Sequence, residues 1–238
     1  MADSSSGSVL VNIFTSPSAA FPVIKARPSP WLPLLLLIVG TFAVQITYLQ
    51  VVDFPWLMDQ QLQAGPGGGQ LTDEQRRQTV DTMSQIPPTV LGAAQGASGA
   101  IVVLVIYALV ALYYTAVSAV TRDGVKYKQW FALIAWCSLP AIFGIIASFV
   151  NLYVSDARFL PATRLNPLSF GSLLNLEPQG ATVVETILMG LDVTVLWATV
   201  LQILGYQAFT QSSIVKSTIV VLGPLGAIVL ISAIFAAL

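Results

Sequence analysis

Five long apolar runs divide the chain, and polar segments of unequal length separate them. Each run reaches the length of about 20 residues that a helix needs to cross a hydrocarbon core of about 30 Å. The pattern therefore predicts an all-α, polytopic membrane protein with five transmembrane helices. The predicted spans cover approximately residues 31–52, 90–120, 130–154, 183–205 and 214–238.

The first long connection, residues 53–89, predicts a short surface helix. It holds the flexible tract GPGGGQ and then the polar stretch LTDEQRRQTVDTMSQI. Thr72 and Gln75 have the spacing of a capping box at the start of that stretch. Pro87 and Pro88 then end the helix, because proline cannot continue it.

Basic residues near the span ends predict the orientation, because cytoplasmic loops carry an excess of Lys and Arg. With the N-terminus in the cytoplasm, that side receives Lys25, Arg27, Arg122, Lys126, Lys128 and Lys216. The opposite side receives Arg76, Arg77, Arg158 and Arg164. We therefore expect a cytoplasmic N-terminus, a periplasmic C-terminus, and extracytoplasmic loops at residues 53–89 and 155–182.

Residues 1–30 form the predicted cytoplasmic segment, in which no cleaved signal peptide is expected because a basic n-region is lacking. Ser16 can cap a helix whose first residue is Pro17. Its apolar face would consist of Phe14, Phe21 and Ile24, and Lys25 and Arg27 could bind anionic headgroups. This pattern predicts an interfacial helix that lies on the cytoplasmic leaflet. Because Pro22 must kink such a helix, an irregular juxtamembrane linker is the alternative.

Composition supports a membrane protein without catalytic chemistry. The chain is 55% hydrophobic and 9% charged, with a mean hydropathy of +0.79, whereas soluble domains carry about 25% charged residues. A net charge of −1 provides no basic excess for nucleic acid. The chain has one cysteine and no histidine, which removes disulfides within the chain, the commonest general base and most zinc geometries. We expect no enzyme activity, cofactor or metal.

The fourth predicted span contains carboxylates within an apolar run. At helical spacing, a polar stripe would run along one face through Glu185, Asp192, Thr199 and Gln202. Charged groups at mid-bilayer face protein or water, so the stripe should point inward. Three interpretations fit: hydrogen bonding within the helix bundle, contact with another membrane protein, and a proton or cation path. The first is favoured, because polar groups inside bundles commonly join helices.

Small residues in the second predicted span indicate close helix packing. Gly92 and Gly96 are four residues apart and Gly99 lies one turn further on. Such residues let helix backbones approach each other closely. Packing within the chain is favoured over contact with another molecule. In the third span, Pro140 predicts a kink.

Several segments together resemble the bacterial branch of the Yip (Ypt-interacting protein) domain family. They are IFTSPSAAFPVIKARPSPW before the first span, KQWFALIAWCSLPAIFG in the third, and LDVTVLWATVLQILGYQAFTQ in the fourth. The resemblance covers nearly the whole chain through the order and spacing of these motifs. It implies five spans with a cytoplasmic N-terminus and the C-terminus on the far side.

The resemblance also implies a function. Some bacterial relatives look like accessory subunits of MacB-type ABC exporters, and the segment NPLSFGSLL is similar to that of exporter-linked relatives. The implied partner-contact loop contains Asn166, Pro167, Leu168, Phe170 and Gly171. The protein is then expected to be a non-catalytic accessory or scaffold protein of the bacterial inner membrane. Besides the lipid bilayer, its partners would be an ABC permease and a periplasmic adaptor. The alternative is an autonomous small transporter or channel that uses Glu185 and Asp192.

Overall fold

A computed structural model describes residues 6–64, 71–177 and 182–237, and this part of the chain is all-α. Its 3₁₀-helical turns are Ala157–Phe159 and Ala162–Arg164. The α-helices are Ser6–Thr15 (α1), Pro17–Ala26 (α2), Trp31–Val51 (α3), Phe54–Ala64 (α4), Asp73–Ser84 (α5), Pro88–Thr121 (α6), Tyr127–Cys137 (α7), Ala141–Val154 (α8), Phe170–Leu173 (α9), Val183–Met189 (α10), Val193–Thr210 (α11) and Ile214–Ala237 (α12).

Four helical segments of the described residues are long and apolar enough to cross a membrane. They are Trp31–Val51, Pro88–Thr121, Tyr127–Val154 and Val193–Thr210. The prediction of a polytopic helical membrane protein is confirmed to this extent. The predicted count of five is not confirmed, and the final helix, Ile214–Ala237, stays a predicted span.

Within the third span the helix is interrupted next to Pro140. Helix α7 ends at Cys137 and α8 begins at Ala141. Proline has no backbone N–H to donate. Next to it, the amide of Ile142 donates to the carbonyl of Leu139, three residues earlier in the chain, over 2.9 Å. The predicted kink is therefore present as a short turn between two helices.

The described residues form two compact units. The first contains residues 6–37, 101–142 and 194–237, and the second contains residues 38–64, 71–100, 143–177 and 182–193. The boundary between the units falls within helices α3, α6 and α8, each of which has residues in both units.

Buried aromatic rings form the core of the first unit. Trp130 is fully buried and stacks on Tyr206, with 5.1 Å between ring centroids and 15° between ring planes. Its indole Nε1 donates to Ser118 Oγ over 3.0 Å. The hydroxyl of Tyr114, whose ring meets Trp130 edge-on, donates to Gln202 Oε1 over 3.1 Å. Buried Trp and Tyr need partners for their polar atoms, and these bonds join α6 to α7 and to α11.

The N-terminal segment differs from the predicted interfacial helix. It forms two helices, α1 and α2, which pack on α7. Phe21 and Ile24, predicted to face lipid, are each 1% exposed and belong to the aromatic core cluster. An apolar helix face can be covered by protein as well as by lipid, and here α7 covers it. Ser16 is the N-cap as expected, but its side chain makes no capping hydrogen bond.

Tyr48 connects the first span to a loop in the second unit. Its side chain is 1% exposed, and its hydroxyl donates to the carbonyl of Leu160 over 2.7 Å. The ring lies in an apolar cluster with Leu49, Leu57 and Leu152. The loop after α8 is thus held against the spans at Leu160.

The described residues of the first long connection form two helices, of which the sequence predicted one. Helix α5 has the predicted capping box, with the amide of Gln75 donating to Thr72 Oγ1 over 3.2 Å. Helix α4 was missed, although Asp53 marks its start by accepting the amide of Trp56 over 3.1 Å. Arg76 lies 3.8 Å from Asp59, and this ion pair links α5 to α4.

The small residues of α6 contact α3 within the second unit. A Cβ atom built on Gly92 would lie 2.8 Å from the Cα of Ile46, and one on Gly96 would lie 3.0 Å from the ring of Phe42. A Cβ on Gly99 would meet nothing within 4 Å. Close backbone approach therefore depends on Gly92 most strongly, because its neighbour is main chain and cannot rotate away.

Replacing Gly92 with alanine should separate α6 from α3. We expect Gly92→Ala to lower the free energy of unfolding by about 1–3 kcal/mol, the usual cost of overpacking. The matched control, Gly99→Ala, should change stability by no more than about 1 kcal/mol, in the stabilising direction, because alanine favours helix. Unfolding of the two purified variants in mild detergent measures the difference. Equal effects of the two substitutions would contradict this packing.

Candidate functional site

The helix that was predicted to carry the polar stripe is interrupted between its two carboxylates. Helix α10 ends at Met189 with Gly190 as its C-cap, and α11 begins at Val193. The fourth candidate span, Val193–Thr210, therefore starts after Asp192. This differs from the predicted continuous helix over residues 183–205, so one helical face cannot hold the whole stripe.

Backbone hydrogen bonds to the preceding loop explain the interruption. The amide of Phe170 donates to the carbonyl of Leu191 over 3.0 Å, and the amide of Val193 donates to the carbonyl of Leu168 over 3.1 Å. These bonds place Ser169 opposite Asp192 in an isolated antiparallel bridge. The main-chain groups that would continue a helix are used by the loop instead.

Asp192 and the predicted partner-contact loop meet in one site. Asn166 Nδ2 donates to Asp192 Oδ2 over 2.8 Å, while Asn166 Oδ1 accepts the amide of Leu168 over 3.0 Å. A Cβ built on Gly144 of α8 would lie 3.0 Å from Asp192 Oδ2 and 3.1 Å from Asn166 Nδ2. We call Gly144, Asn166 and Asp192 the Asp192 clasp. Its close fit requires glycine at position 144.

Further hydrogen bonds attach the loop to α8 and to itself. Asn151 Nδ2 donates to the carbonyls of Arg164 and Leu165 over 2.9 Å and 3.1 Å. Ser172 Oγ donates to the carbonyl of Asn166 over 2.9 Å. Each bond satisfies a main-chain carbonyl of a loop that turns back on itself. The loop thereby holds Asn166 in position to donate to Asp192.

The remaining predicted loop residues also make contacts within the chain. Gly171 is buried, and a Cβ there would lie 3.1 Å from Met189 Cγ. Pro167, Leu168 and Phe170 are half-buried. The segment predicted to contact a partner therefore serves first as internal structure, through packing of α9 on α10.

Glu185 caps its own helix. Its Oε2 accepts the amide of Thr182 over 2.7 Å and the Thr182 hydroxyl over 2.8 Å, which completes a capping box. Hydrogen bonds from the Thr182 backbone, and then from its side chain, lower the pKa of the Glu185 carboxyl. Because α10 lies outside the candidate spans, Glu185 has a local structural role at a helix N-terminus.

The other two stripe residues lie in α11 and have separate partners. Thr199 Oγ1 donates to the carbonyl of Val195 in its own helix over 2.7 Å. Gln202 accepts the Tyr114 hydroxyl. The structure thus brings Asp192 to Asn166, and the helix break separates Glu185 in α10 from Thr199 and Gln202 in α11.

Two exposed apolar residues at the end of α9 lie within the predicted segment NPLSFGSLL, but the sequence did not single them out. Leu173 and Leu174 are 55% and 56% exposed. Asn175, which follows them, has a φ of +58°, a left-handed conformation that asparagine tolerates at helix ends. A Leu-Leu pair directly before Asn in a loop was the available signal. We call Leu173 and Leu174 the α9 leucine pair.

Apolar spanning helices, together with buried polar groups that bind one another, define a polytopic helical membrane protein. No group of three potential metal-ligating side chains occurs in residues 6–64, 71–177 and 182–237.

The family model of the Yip1 domain matches residues 11–236, and the chain belongs to that family, as its motifs predicted. The Yip1 family is a non-enzymatic family of membrane proteins. No curated protein and no solved structure matches the chain.

Exchanging the two side chains of the clasp tests its hydrogen bond. Asn166→Asp removes the donor and sets two carboxylates together, so we expect it to lower the free energy of unfolding by about 2 kcal/mol or more. The double variant Asn166→Asp with Asp192→Asn restores a donor and an acceptor in reversed order. It should recover at least half of the loss when unfolding is measured in detergent.

A matched control is Asn175→Asp on the same loop, where asparagine is exposed. It should leave stability nearly unchanged. If the double variant were as unstable as the sum of the single variants, Asn166 and Asp192 would not be coupled and the clasp would be rejected.

Proposed function

We propose that this protein is a non-catalytic accessory or scaffold subunit of the bacterial inner membrane, associated with a MacB-type ABC exporter assembly. Its N-terminus lies in the cytoplasm and its C-terminus in the periplasm. The observation that carries the proposal is the engagement of both candidate carboxylates in structural hydrogen bonds. Asp192 binds Asn166 and Glu185 binds Thr182, which supports a role in folding and assembly over a role in chemistry.

The distribution of titratable groups also favours assembly over transport. A proton relay uses successive titratable stations within the membrane. Glu185 lies in α10, outside the candidate spans, and α11 contains no charged side chain. The described part of the fourth span therefore supplies no second station after Asp192.

The extracytoplasmic partner surface is proposed to include the α9 leucine pair. The Asp192 clasp and the Asn151 bonds fix the loop beneath it, so Leu173 and Leu174 are presented on an ordered base. Apolar side chains held rigidly in this way form good interface anchors, because little conformational entropy is lost on binding. The resemblance of residues 166–174 to exporter-linked relatives points to an ABC permease and a periplasmic adaptor as partners.

Changing both leucines of the pair to aspartate should weaken the complex. We expect tagged protein purified from native membranes in mild detergent to contain an ABC permease, its ATPase domain and a periplasmic adaptor, as identified by mass spectrometry. In Leu173→Asp/Leu174→Asp their recovery should fall at least tenfold, because buried charge opposes association. The control is Val90→Asp, at a 54% exposed position of the same unit.

Both variants must remain inserted and monodisperse for this comparison. Recovery of the unaltered chain alone, stable and monodisperse, would overturn the exporter assignment. Equal recovery of the partners with the double variant and with Val90→Asp would remove the α9 leucine pair from the interface.

One observation favours the alternative, an autonomous small transporter or channel that uses Glu185 and Asp192. Asp192 lies at a break between α10 and α11. In transporters, ions and substrates bind at unwound segments of discontinuous helices. The same break is explained by the loop hydrogen bonds above, so the structural role stays favoured.

Replacing Asp192 with asparagine separates the two functions. In Asp192→Asn the new side-chain carbonyl can still accept from Asn166, so we expect packing to survive and complex recovery to be unchanged. Proton-coupled flux in proteoliposomes, if the protein carries it, should stop because the titratable group is gone. Glu177→Gln, at an exposed carboxylate paired with Arg164, is the control. Flux that persists unchanged in Asp192→Asn would reject the transport hypothesis.

A further inference from the structure

A groove runs between α2 and the C-terminal part of α11 in the first unit. It consists of two adjoining pockets of about 470 Å³ each, which share Phe21, Ala208 and Gln211 in their walls. Pockets that bind small molecules span about 300–1,000 Å³. Apolar side chains from both helices line its length, and Lys25 stands in the wall of one pocket only. The groove is therefore amphipathic, with a charged end.

The position of the groove on α11 places it at the edge of the hydrocarbon layer. Helix α11 is a candidate span that ends at Thr210. The groove contacts its last turns from Leu204 to Phe209 and continues past its end to Gln211 and Ser212. The last turns of a span lie where acyl chains meet headgroups. A molecule in the groove would thus have one part in each environment.

The ammonium group of Lys25 is available to an anion. Its Nζ donates to the main-chain carbonyl of Phe209 and lies 5.7 Å from the centroid of the Phe209 ring. An ammonium has three donors, and the carbonyl takes one of them. Among the ion pairs of the described residues, none includes Lys25. Within the described part of the chain, its charge is therefore not neutralised by a carboxylate.

The charge of the first unit strengthens this preference for an anion. Its described residues include one acidic side chain, Asp123, and six basic ones, Lys25, Arg27, Arg122, Lys126, Lys128 and Lys216. The described residues of the second unit have nine acidic and four basic side chains. The net charge of −1 for the whole chain therefore combines a strongly basic first unit with an acidic second unit. The basic first unit attracts anionic lipids, which are concentrated in the cytoplasmic leaflet.

We propose that the α2–α11 groove binds one anionic phospholipid of the surrounding bilayer. Its phosphate accepts hydrogen bonds from Lys25, and one acyl chain lies along Phe21 and Ala208. A charge-assisted bond to phosphate is stronger than a neutral one, and the apolar walls contribute through burial of methylene groups. The site is independent of the proposed partnership with an exporter. It would also stabilise the docking of α2, since the lipid touches both helices.

Lipid binding to the full chain in detergent micelles tests the proposal. Phosphatidylglycerol and phosphatidylcholine with identical acyl chains are the probes, and native mass spectrometry counts the bound molecules. We expect one tightly bound phosphatidylglycerol and at least tenfold weaker binding of phosphatidylcholine. Lys25→Gln should abolish this difference, while its amide can still donate to Phe209. Lys25→Arg should retain it.

The matched control for charge is Lys216→Gln, at an exposed lysine of the same unit. A second variant, Ala208→Phe, fills the groove without changing charge and should also weaken phosphatidylglycerol binding at least tenfold. Its control is Ala116→Phe, at an exposed position of α6. Thermal unfolding of each variant without added lipid checks that the fold is intact.

Three outcomes would overturn the proposal. Equal losses in Lys25→Gln and Lys216→Gln would mean that binding follows overall charge and not the groove. Full competition by glycerol phosphate would assign the site to a free phosphate ester. Finally, a photoreactive residue at position 211 that cross-links to a peptide in native membranes, and not to lipid, would show that a protein segment occupies the groove.

Discussion

A polar group that folding removes from water needs a hydrogen-bonding partner within the chain. The Asn166–Asp192 hydrogen bond meets this need where α10 gives way to α11, directly before the fourth candidate span, and the arrangement around it follows from that need. The loop after α8 turns back to supply Asn166, Gly144 leaves room for both side chains, and the backbone near Leu191 pairs with the loop. A carboxylate in an apolar run thereby becomes a structural element.

The same constraint organises the first unit in a different way. Part of its polar bonding comes from large aromatic side chains, which bury apolar surface and still present one donor. Trp130 and Tyr114 direct their donors at Ser118 and Gln202, so three helices are joined at one point. Helices α1 and α2 cover this core, which accounts for the burial of residues that a sequence pattern assigns to lipid.

Membership of the Yip1 family and the apolar helices establish a membrane protein. Two of its carboxylates, Asp192 and Glu185, make hydrogen bonds within the chain. The exposed α9 leucine pair and the basic α2–α11 groove lie in different units. They differ in chemistry, because the leucine pair is apolar and the groove contains the ammonium group of Lys25. The two proposals, a partner surface at the leucine pair and a lipid site in the groove, rest on this difference.

The sequence by itself determined the helical class, the apolar spans, the capping box at Thr72 and the helix break at Pro140, because hydrophobic length, capping and proline chemistry act over a few neighbouring residues. It also identified Asn166 and Asp192, but as members of two unrelated sites. Only the tertiary structure decided that they bind each other, that Glu185 serves its own helix, and that α2 covers α7. These outcomes depend on contacts between residues far apart in the chain. The local sequence pattern shows whether a side chain is apolar or polar, but it does not show which distant group that side chain will contact.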